Sequence, residues 1–193
     1  MKPVFRVKRW TAILLAAAML ASAAPFAAAQ EESALLTALP GISAAATFTQ
    51  DLLDPYEAID GDASTRWSSY GGGQSLPQAL QIDLGSEYAV DRVESDWYKD
   101  DRTYTYDLIL SKEPAVVDGA FALPTGAYRQ AGLTGTGSGE ITGSGRGTVV
   151  RAGSLASTVT LPRPVNARYV TVLCTAASAG TSAAIWEVRA YGG

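Results

Sequence analysis

The sequence predicts an all-β domain, an antiparallel sandwich or barrel. Three observations carry this. Apolar residues recur at every second position in the clearest segments, short extended runs are separated by turn residues, and no stretch keeps a long helical period.

Taken in order, Gln30 to Leu39 could begin a helix, but Pro40-Gly41 stops it, so a loosely held lead-in is expected over 30–40. Ala45 to Thr49 reads as a short strand. Pro77 to Leu84 alternates, with Leu80, Ile82 and Leu84 on one side and Ala79, Gln81 and Asp83 on the other. Gly85-Ser86 turns the chain, and Tyr88 to Tyr98 is a further extended run. Tyr104, Tyr106, Leu108 and Leu110 form the clearest period-two strand. Later strands are expected at Ala127 to Ala131, Gly147 to Ala152, Leu155 to Leu161, Ala167 to Thr175 and Ala184 to Tyr191. Between Leu133 and Gly147 the chain is mostly Gly, Thr and Ser and reads as a long loop.

Ahead of this domain, Lys2, Arg6, Lys8 and Arg9 precede the apolar run Trp10 to Leu20, and Ala27-Ala28-Ala29 offers small residues for cleavage. That pattern is a secretory signal peptide over 1–29, and the run is shorter than the about 20 residues of a spanning helix. Secretion to the medium or periplasm is the expected location, and a membrane span is not expected. Removing 29 of 193 residues leaves 164, one domain's worth, with the folded part expected over 41–193. The four basic residues leave with the signal, taking Lys plus Arg from 15 to 11 against 19 Asp plus Glu, and the formal charge from −4 to −8. A surface this acidic repels nucleic acid and anionic lipid and welcomes a divalent cation. The lone Cys174 has no intrachain disulfide partner and reads as a small buried hydrophobe in a strand.

The chain holds no histidine, which excludes Ser-His-Asp and Cys-His catalysis and histidine-ligated zinc. No Gly-x-Gly-x-x-Gly opens a helix, so dinucleotide binding has no support. Glu94, Asp96, Asp100 and Asp101 could in principle supply a glycosidase's carboxylate pair, although such residues at strand ends are usually only solvated. The densest polar stretch is Glu57-Ala58-Ile59-Asp60-Gly61-Asp62-Ala63-Ser64-Thr65-Arg66-Trp67. Oxygen ligands around a glycine turn suit a hard cation, but Asp-Gly-Asp alone also makes an ordinary metal-free turn. Trp67, Tyr70, Trp97, Tyr98 and Tyr104 gather near expected loops, where an aromatic face can stack on a sugar ring and neighbouring polar groups can bind its hydroxyls. Trp67 reads as a core residue, whereas Trp97 fits either a core plug or an exposed platform.

Ala58 to Trp67 resembles the opening signature of discoidin domains, also called coagulation factor V/VIII type C domains, whose bacterial branch resembles carbohydrate-binding module family thirty-two. In order, Gln81-Ile82-Asp83-Leu84-Gly85, Trp97-Tyr98-Lys99-Asp100-Asp101-Arg102 with Tyr106 to Ser111, Ala167-Arg168-Tyr169-Val170, and Trp186 to Tyr191 resemble later motifs of the family. The resemblance implies an eight-stranded antiparallel jelly-roll β-sandwich of galactose-binding-domain-like type. It implies one structural calcium ion, with ligands from the Glu57 carbonyl, Asp60, Asp62, Thr65, the Trp186 carbonyl and Glu187. It implies a non-catalytic secreted module that binds an oligo- or polysaccharide through loops. Trp97 and Tyr98 are then expected as stacking faces, Lys99 and Arg102 as donors, Asp100 as an acceptor and Tyr70 as an outlying contact. The family's galactose binders often read the sugar with a histidine, and this chain has none, so the identity of the sugar stays open. The alternative expectation is a protein- or surface-interaction module, with a partner on a cell surface or matrix and no sugar specificity.

Overall fold

In the computed structural model, which describes residues 33–193 apart from 100, 143–147 and 152–155, strands carry nearly all the regular structure. The expected signal peptide, the first residues of the lead-in and Asp100 lie outside the described residues. In chain order the strands are β1 (Ala34–Leu35), β2 (Ser43–Ala46), β3 (Trp67–Ser68), β4 (Gln78–Trp97), β5 (Thr103–Ser111), β6 (Val116–Val117), β7 (Ala120–Phe121), β8 (Tyr128–Thr136), β9 (Gly139–Thr142), β10 (Thr148–Arg151), β11 (Ser157–Ala177) and β12 (Ala184–Gly192). Two 3-10 turns, Leu36–Ala38 and Pro55–Ala58, complete the regular elements.

The hydrogen-bonded order is β1-β12-β4-β11-β5-β8, with β2 added to β4 and β3 added to β12. Every ladder is antiparallel. β4 and β11 are the long members, and each runs through both layers of the sandwich. The first part of β4 (Gln78 to Asp83) pairs with Tyr169 to Cys174 of β11, while its second part pairs with Ser157 to Thr160. β2 and β5 flank the first region, and β12 flanks the second.

The chain chemistry explains where these strands bend. The β4–β11 register shifts between Thr160 and Val165, a span that holds Pro162 and Pro164. Proline cannot donate to a ladder and is tolerated at such irregularities. On β4, Gly85 takes φ 76, a left-handed value that favours glycine, and its N–H donates to Asp83 Oδ1 at 2.8 Å.

The core lies between the layers. Leu80, Ile82 and Leu84 meet Val90, Val93, Val159, Leu161, Val170 and Val172 there. The period-two face of β5, Tyr104, Tyr106, Leu108 and Leu110, is buried in the same cluster. Its other face carries Ile109, which packs with Ala79, Val116 and Leu173 in a smaller cluster. Cys174 is buried and free of any disulfide, and burial pushes its thiol up to about 12.

Four expectations change. The runs at Pro77 to Leu84 and Tyr88 to Tyr98 are one strand, because the pairing with β11 shifts register across Gly85, between Asp83 and Tyr88, and then resumes. From Ser157 onward, the run ending at Leu161 likewise merges with Ala167 to Thr175 in β11, while Leu155 lies outside the described residues. The Gly-rich stretch after Leu133 is not one long loop, since β8 runs on to Thr136 and β9 pairs with β10. Finally, the lead-in is held from Ala34 onward: β1 pairs with Tyr191 and Gly192, and Leu36 is buried in the core.

Candidate functional site

The Asp-Gly-Asp stretch folds as two successive side-chain turns. The 3-10 turn Pro55–Ala58 is capped by Asp54, whose Oδ1 accepts the Tyr56 N–H at 2.8 Å. Asp60 Oδ1 then accepts the Asp62 N–H at 2.8 Å, and Asp62 Oδ1 accepts the N–H of Ser64 at 2.8 Å and its hydroxyl at 2.6 Å. Gly61 sits between them at φ 76. This curl brings four acceptor oxygens onto Thr65 Oγ1: Asp60 Oδ2 at 2.9 Å, Asp60 Oδ1 at 3.0 Å, the Asp62 carbonyl at 2.9 Å and the Glu57 carbonyl at 3.4 Å.

A hydroxyl has one proton, so it satisfies one of those acceptors at a time. The Asp62 carboxylate is turned to Ser64, and it is the Asp62 carbonyl that faces the cluster. From the far end of the chain, the buried Glu187 carboxylate on β12 accepts the Gly61 N–H at 3.4 Å, so the first loop and the last strand meet. Trp186 lies at a register shift in the β12–β4 ladder between Ile185 and Glu187, where a bulge re-aims the backbone. Among the described residues, no group of three or more His, Cys, Asp or Glu side chains is placed to hold a metal. The donor set is instead mixed, with carboxylate, hydroxyl and carbonyl oxygens, a chemistry that fits calcium.

The second loop leaves β4 at Trp97. Trp97 is fully buried, its indole stacks on Tyr104 at 4.7 Å between centroids, and its Nε1 donates to Ser95 Oγ at 2.9 Å. The expectation of Trp97 as a stacking face for a ligand is therefore corrected: the ring is a core plug with no open face. Tyr98, half-buried, is the ring that remains. The Arg66 guanidinium lies over it at 4.2 Å from the centroid, and Trp186 meets it edge-on at 5.2 Å. A ligand can therefore use only the part of the ring that these two leave open.

The backbone beyond Tyr98 is pinned from several sides. The Tyr98 carbonyl accepts Tyr104 Oη at 2.6 Å, the Lys99 N–H donates to the Gly139 carbonyl at 3.0 Å, and the Arg102 carbonyl accepts the Gly137 N–H at 2.9 Å. Gly137 packs so closely that a Cβ would stand 1.6 Å from the Lys99 carbonyl oxygen. Lys99 itself is held at φ 80, which is strained for a residue other than glycine. Lys99 Nζ and Arg102 Nε both face the exposed Asp101, at 3.5 and 3.6 Å. Gly180 abuts the Arg102 guanidinium. Tyr70, 63 % exposed, follows β3 on a separate loop that leads into Gly71, Gly72 and Gly73, all at positive φ.

Of the four carboxylates in the glycosidase reading, Asp100 lies outside the described residues, Asp101 is exposed, and two have structural partners. Asp96 is buried and accepts the Ser138 hydroxyl, and Glu94 accepts from Arg189 at 3.2 Å and Tyr191 at 3.1 Å. A cleft of about 620 Å³ borders the oxygen cluster, lined by Leu39, Ile42, Tyr56, Ile59, Asp60 and Glu187 among others.

The residue that the sequence reading left unassigned is Arg66. Its position between Thr65 and Trp67 in the opening motif was the available signal, because it ties the oxygen loop to the next strand.

Comparison with known proteins identifies the family and the fold. The NedA-like, galactose-binding type of the F5/F8 type C family matches residues 57–172. The family 32 carbohydrate-binding module of Clostridium perfringens NanJ, solved with galactose, superposes with a TM-score of 0.57 at 20 % identity, covering 83 % of this chain and 98 % of that one. The family 32 module of AlyQ, solved with 4,5-unsaturated mannuronic acid, gives 0.55 at 22 % identity over 82 % and 96 %. A chitosan-binding module from a chitosanase/glucanase of Paenibacillus sp. IK-5 gives 0.57 at 24 % identity over 82 % and 99 %. No curated protein matches the chain. With its motif loop, its last strand and the intervening sandwich all in place, the chain belongs to the F5/F8 type C family, as a galactose-binding-like β-sandwich of the kind found in family 32 carbohydrate-binding modules.

Proposed function

We propose that this domain is a secreted, non-catalytic carbohydrate-binding module stabilised by calcium. The observation that carries the reading is the pinned loop from Tyr98 to Arg102. It offers part of the Tyr98 ring, on a backbone fixed at Tyr98, Lys99 and Arg102 by Tyr104, Gly139 and Gly137. Preorganised polar groups beside an apolar surface suit sugar recognition, since little ordering cost remains at binding.

Glu57, Asp60, Asp62, Thr65 and Glu187 would hold the cation, with Trp186 contributing a carbonyl. When bound, calcium supplies the positive charge that the crowded oxygens lack and ties the first loop to β12. Lys99 and Arg102 would bind hydroxyls or a sugar carboxylate. The module of AlyQ, which binds an unsaturated uronic acid, makes acidic glycans worth including in the test.

The experiment is a glycan array in millimolar calcium that includes galactosides, chitosan oligomers and polyuronates. Binding that weakens on Tyr98→Ala and Arg102→Ala supports the reading. A blank array with folded protein removes it.

One observation favours a surface-interaction reading. Leu52 is 92 % exposed and held at φ 66, a costly conformation for leucine. Leu52 and Tyr70 each lie two residues beyond the hydrogen bond that joins Gln50 N–H to the Ser68 carbonyl at 2.8 Å. A blank array together with retention on a protein matrix that Leu52→Ser abolishes would favour it.

A further inference from the structure

We propose that Asp101 sets the charge class of the glycan: by bridging Lys99 and Arg102 it makes the Tyr98 to Arg102 loop a site for neutral sugars and turns uronates away. The proposal rests on the carbohydrate reading above and deepens it, since it names the substrate class of the same loop.

One carboxylate serves two cations. Asp101 Oδ2 lies 3.5 Å from Lys99 Nζ, and Asp101 Oδ1 lies 3.6 Å from Arg102 Nε. Each oxygen faces its own cation, at a separation beyond ordinary hydrogen-bond length. The Asp101 side chain is 57 % exposed, against 29 % for Lys99 and 23 % for Arg102. The negative group is therefore the one that a ligand meets most openly.

The loop holds this arrangement in place. The Arg102 N–H donates to the Lys99 carbonyl at 3.1 Å and closes the turn around Asp101. The next residue, Thr103, exchanges two hydrogen bonds with Ser178: its carbonyl accepts the Ser178 N–H at 2.8 Å, and its N–H donates to Ser178 Oγ at 3.0 Å. Gly180, on the same segment, closes on the Arg102 side chain, where a Cβ would stand 3.0 Å from a terminal nitrogen. The guanidinium thus has little room to swing away from Asp101. Arg66, the other cation near Tyr98, is engaged by the Tyr98 and Trp186 rings at 4.2 and 5.8 Å from their centroids.

The chemistry of the ligand follows. A sugar hydroxyl both donates and accepts, so it can donate to Asp101 and accept from Lys99 or Arg102. A uronate carboxylate only accepts, and it meets the charge of Asp101 at close range. The formal charges of Lys99-Asp100-Asp101-Arg102 cancel, and the whole chain carries 19 acidic against 15 basic residues, so no net positive charge draws an anion in. A like charge placed at a rim is a means of rejecting the wrong ligand.

The test uses the mature chain in millimolar calcium and low salt. The probes are galacto-, gluco- and manno-oligosaccharides, each paired with its uronate counterpart, which differs only in a carboxylate in place of the C6 hydroxymethyl group. The wild type is expected to bind the neutral member of a pair about tenfold or more tightly, and Asp101→Asn to shrink that preference to below about threefold or to invert it. Glu87→Gln removes an equal charge near the middle of β4, where Glu87 pairs with Lys112, and should change the preference by less than about twofold. A wild type that prefers uronates, an unchanged preference in Asp101→Asn, or an equal change in Glu87→Gln overturns this proposal alone. Folded wild type that binds no member of any pair overturns both the proposal and the carbohydrate reading.

Discussion

Gly135 lies against the indole of Trp97: a Cβ built on the glycine would stand 2.1 Å from Trp97 Nε1. The contact joins β8 to the end of β4, directly behind the Tyr98 loop. No rotamer change relieves it, because Trp97 is also stacked on Tyr104. Gly135→Ala is expected to cost about 1–3 kcal/mol through overpacking and to lower the melting temperature by roughly 3–10 °C. Thermal denaturation followed by circular dichroism checks this, and an unchanged melt would mean that the indole has room to move.

Trp97 and Tyr98 are neighbours with opposite duties, so their substitutions should separate. Trp97→Ala empties a core position and is expected to cost about 3–5 kcal/mol of stability. Tyr98→Ala should leave the fold nearly intact and weaken glycan binding by about tenfold, the scale of a lost aromatic contact. Urea unfolding and glycan titration, run on both variants, should give this crossed pattern.

Calcium should raise the stability of the mature chain. With roughly 10 mM calcium and a dissociation constant of about 10⁻⁴ M, linkage predicts about 2.7 kcal/mol, or a melting temperature higher by about 5–10 °C. Thr65→Val removes the hydroxyl on which the cluster converges and should abolish that rise. Equal melts of the wild type in calcium and in chelator would count against the cation.

Asp83 provides a pH signature far from the loops. Its carboxylate accepts from Arg168 Nε and an Arg168 terminal nitrogen, both at 2.8 Å. The Arg168 hydrogen bonds hold its pKa below the ordinary 3.8, and the Gly85 N–H adds to this. A carboxyl depressed in the folded state contributes stability above its unfolded pKa and loses it as pH falls through the folded one. The pair is partly exposed, so Asp83→Asn should lower the melting temperature at pH 7 by only about 1–3 °C. The difference should shrink as pH falls below 3.8 and vanish once the folded-state carboxyl is protonated. A gap that stays constant as the pH is lowered through the acid range would show that Asp83 acts through shape alone.

The sandwich was legible because its signals are local. Alternation at Leu80, Ile82 and Leu84 and at Tyr104 to Leu110 marks which side faces the core, whatever the topology. What local pattern could not show is that the strand resumes beyond Gly85 instead of ending there, since a turn and a register shift call for the same residue. The oxygen loop was legible for a similar reason: Asp60, Gly61 and Asp62 set their own geometry through side-chain turns. The aromatic loop was only half legible. Trp97 and Tyr98 are adjacent and therefore point to opposite sides, but which side meets the core depends on Gly135 and Tyr104, which are distant in sequence. Arg66 escaped notice because its role appears only once Tyr98, more than thirty residues later, is brought against it.

β4 and β11 each belong to both halves of the molecule, and this governs how it comes apart. Neither half can be peeled away without tearing strands out of the other, so no stable fragment should survive a partial melt. Heat or denaturant should produce a single abrupt loss of structure seen alike by tryptophan fluorescence and far-ultraviolet signal. Because those strands pair residues remote along the chain, the return to the native state should be slow for a domain of this size.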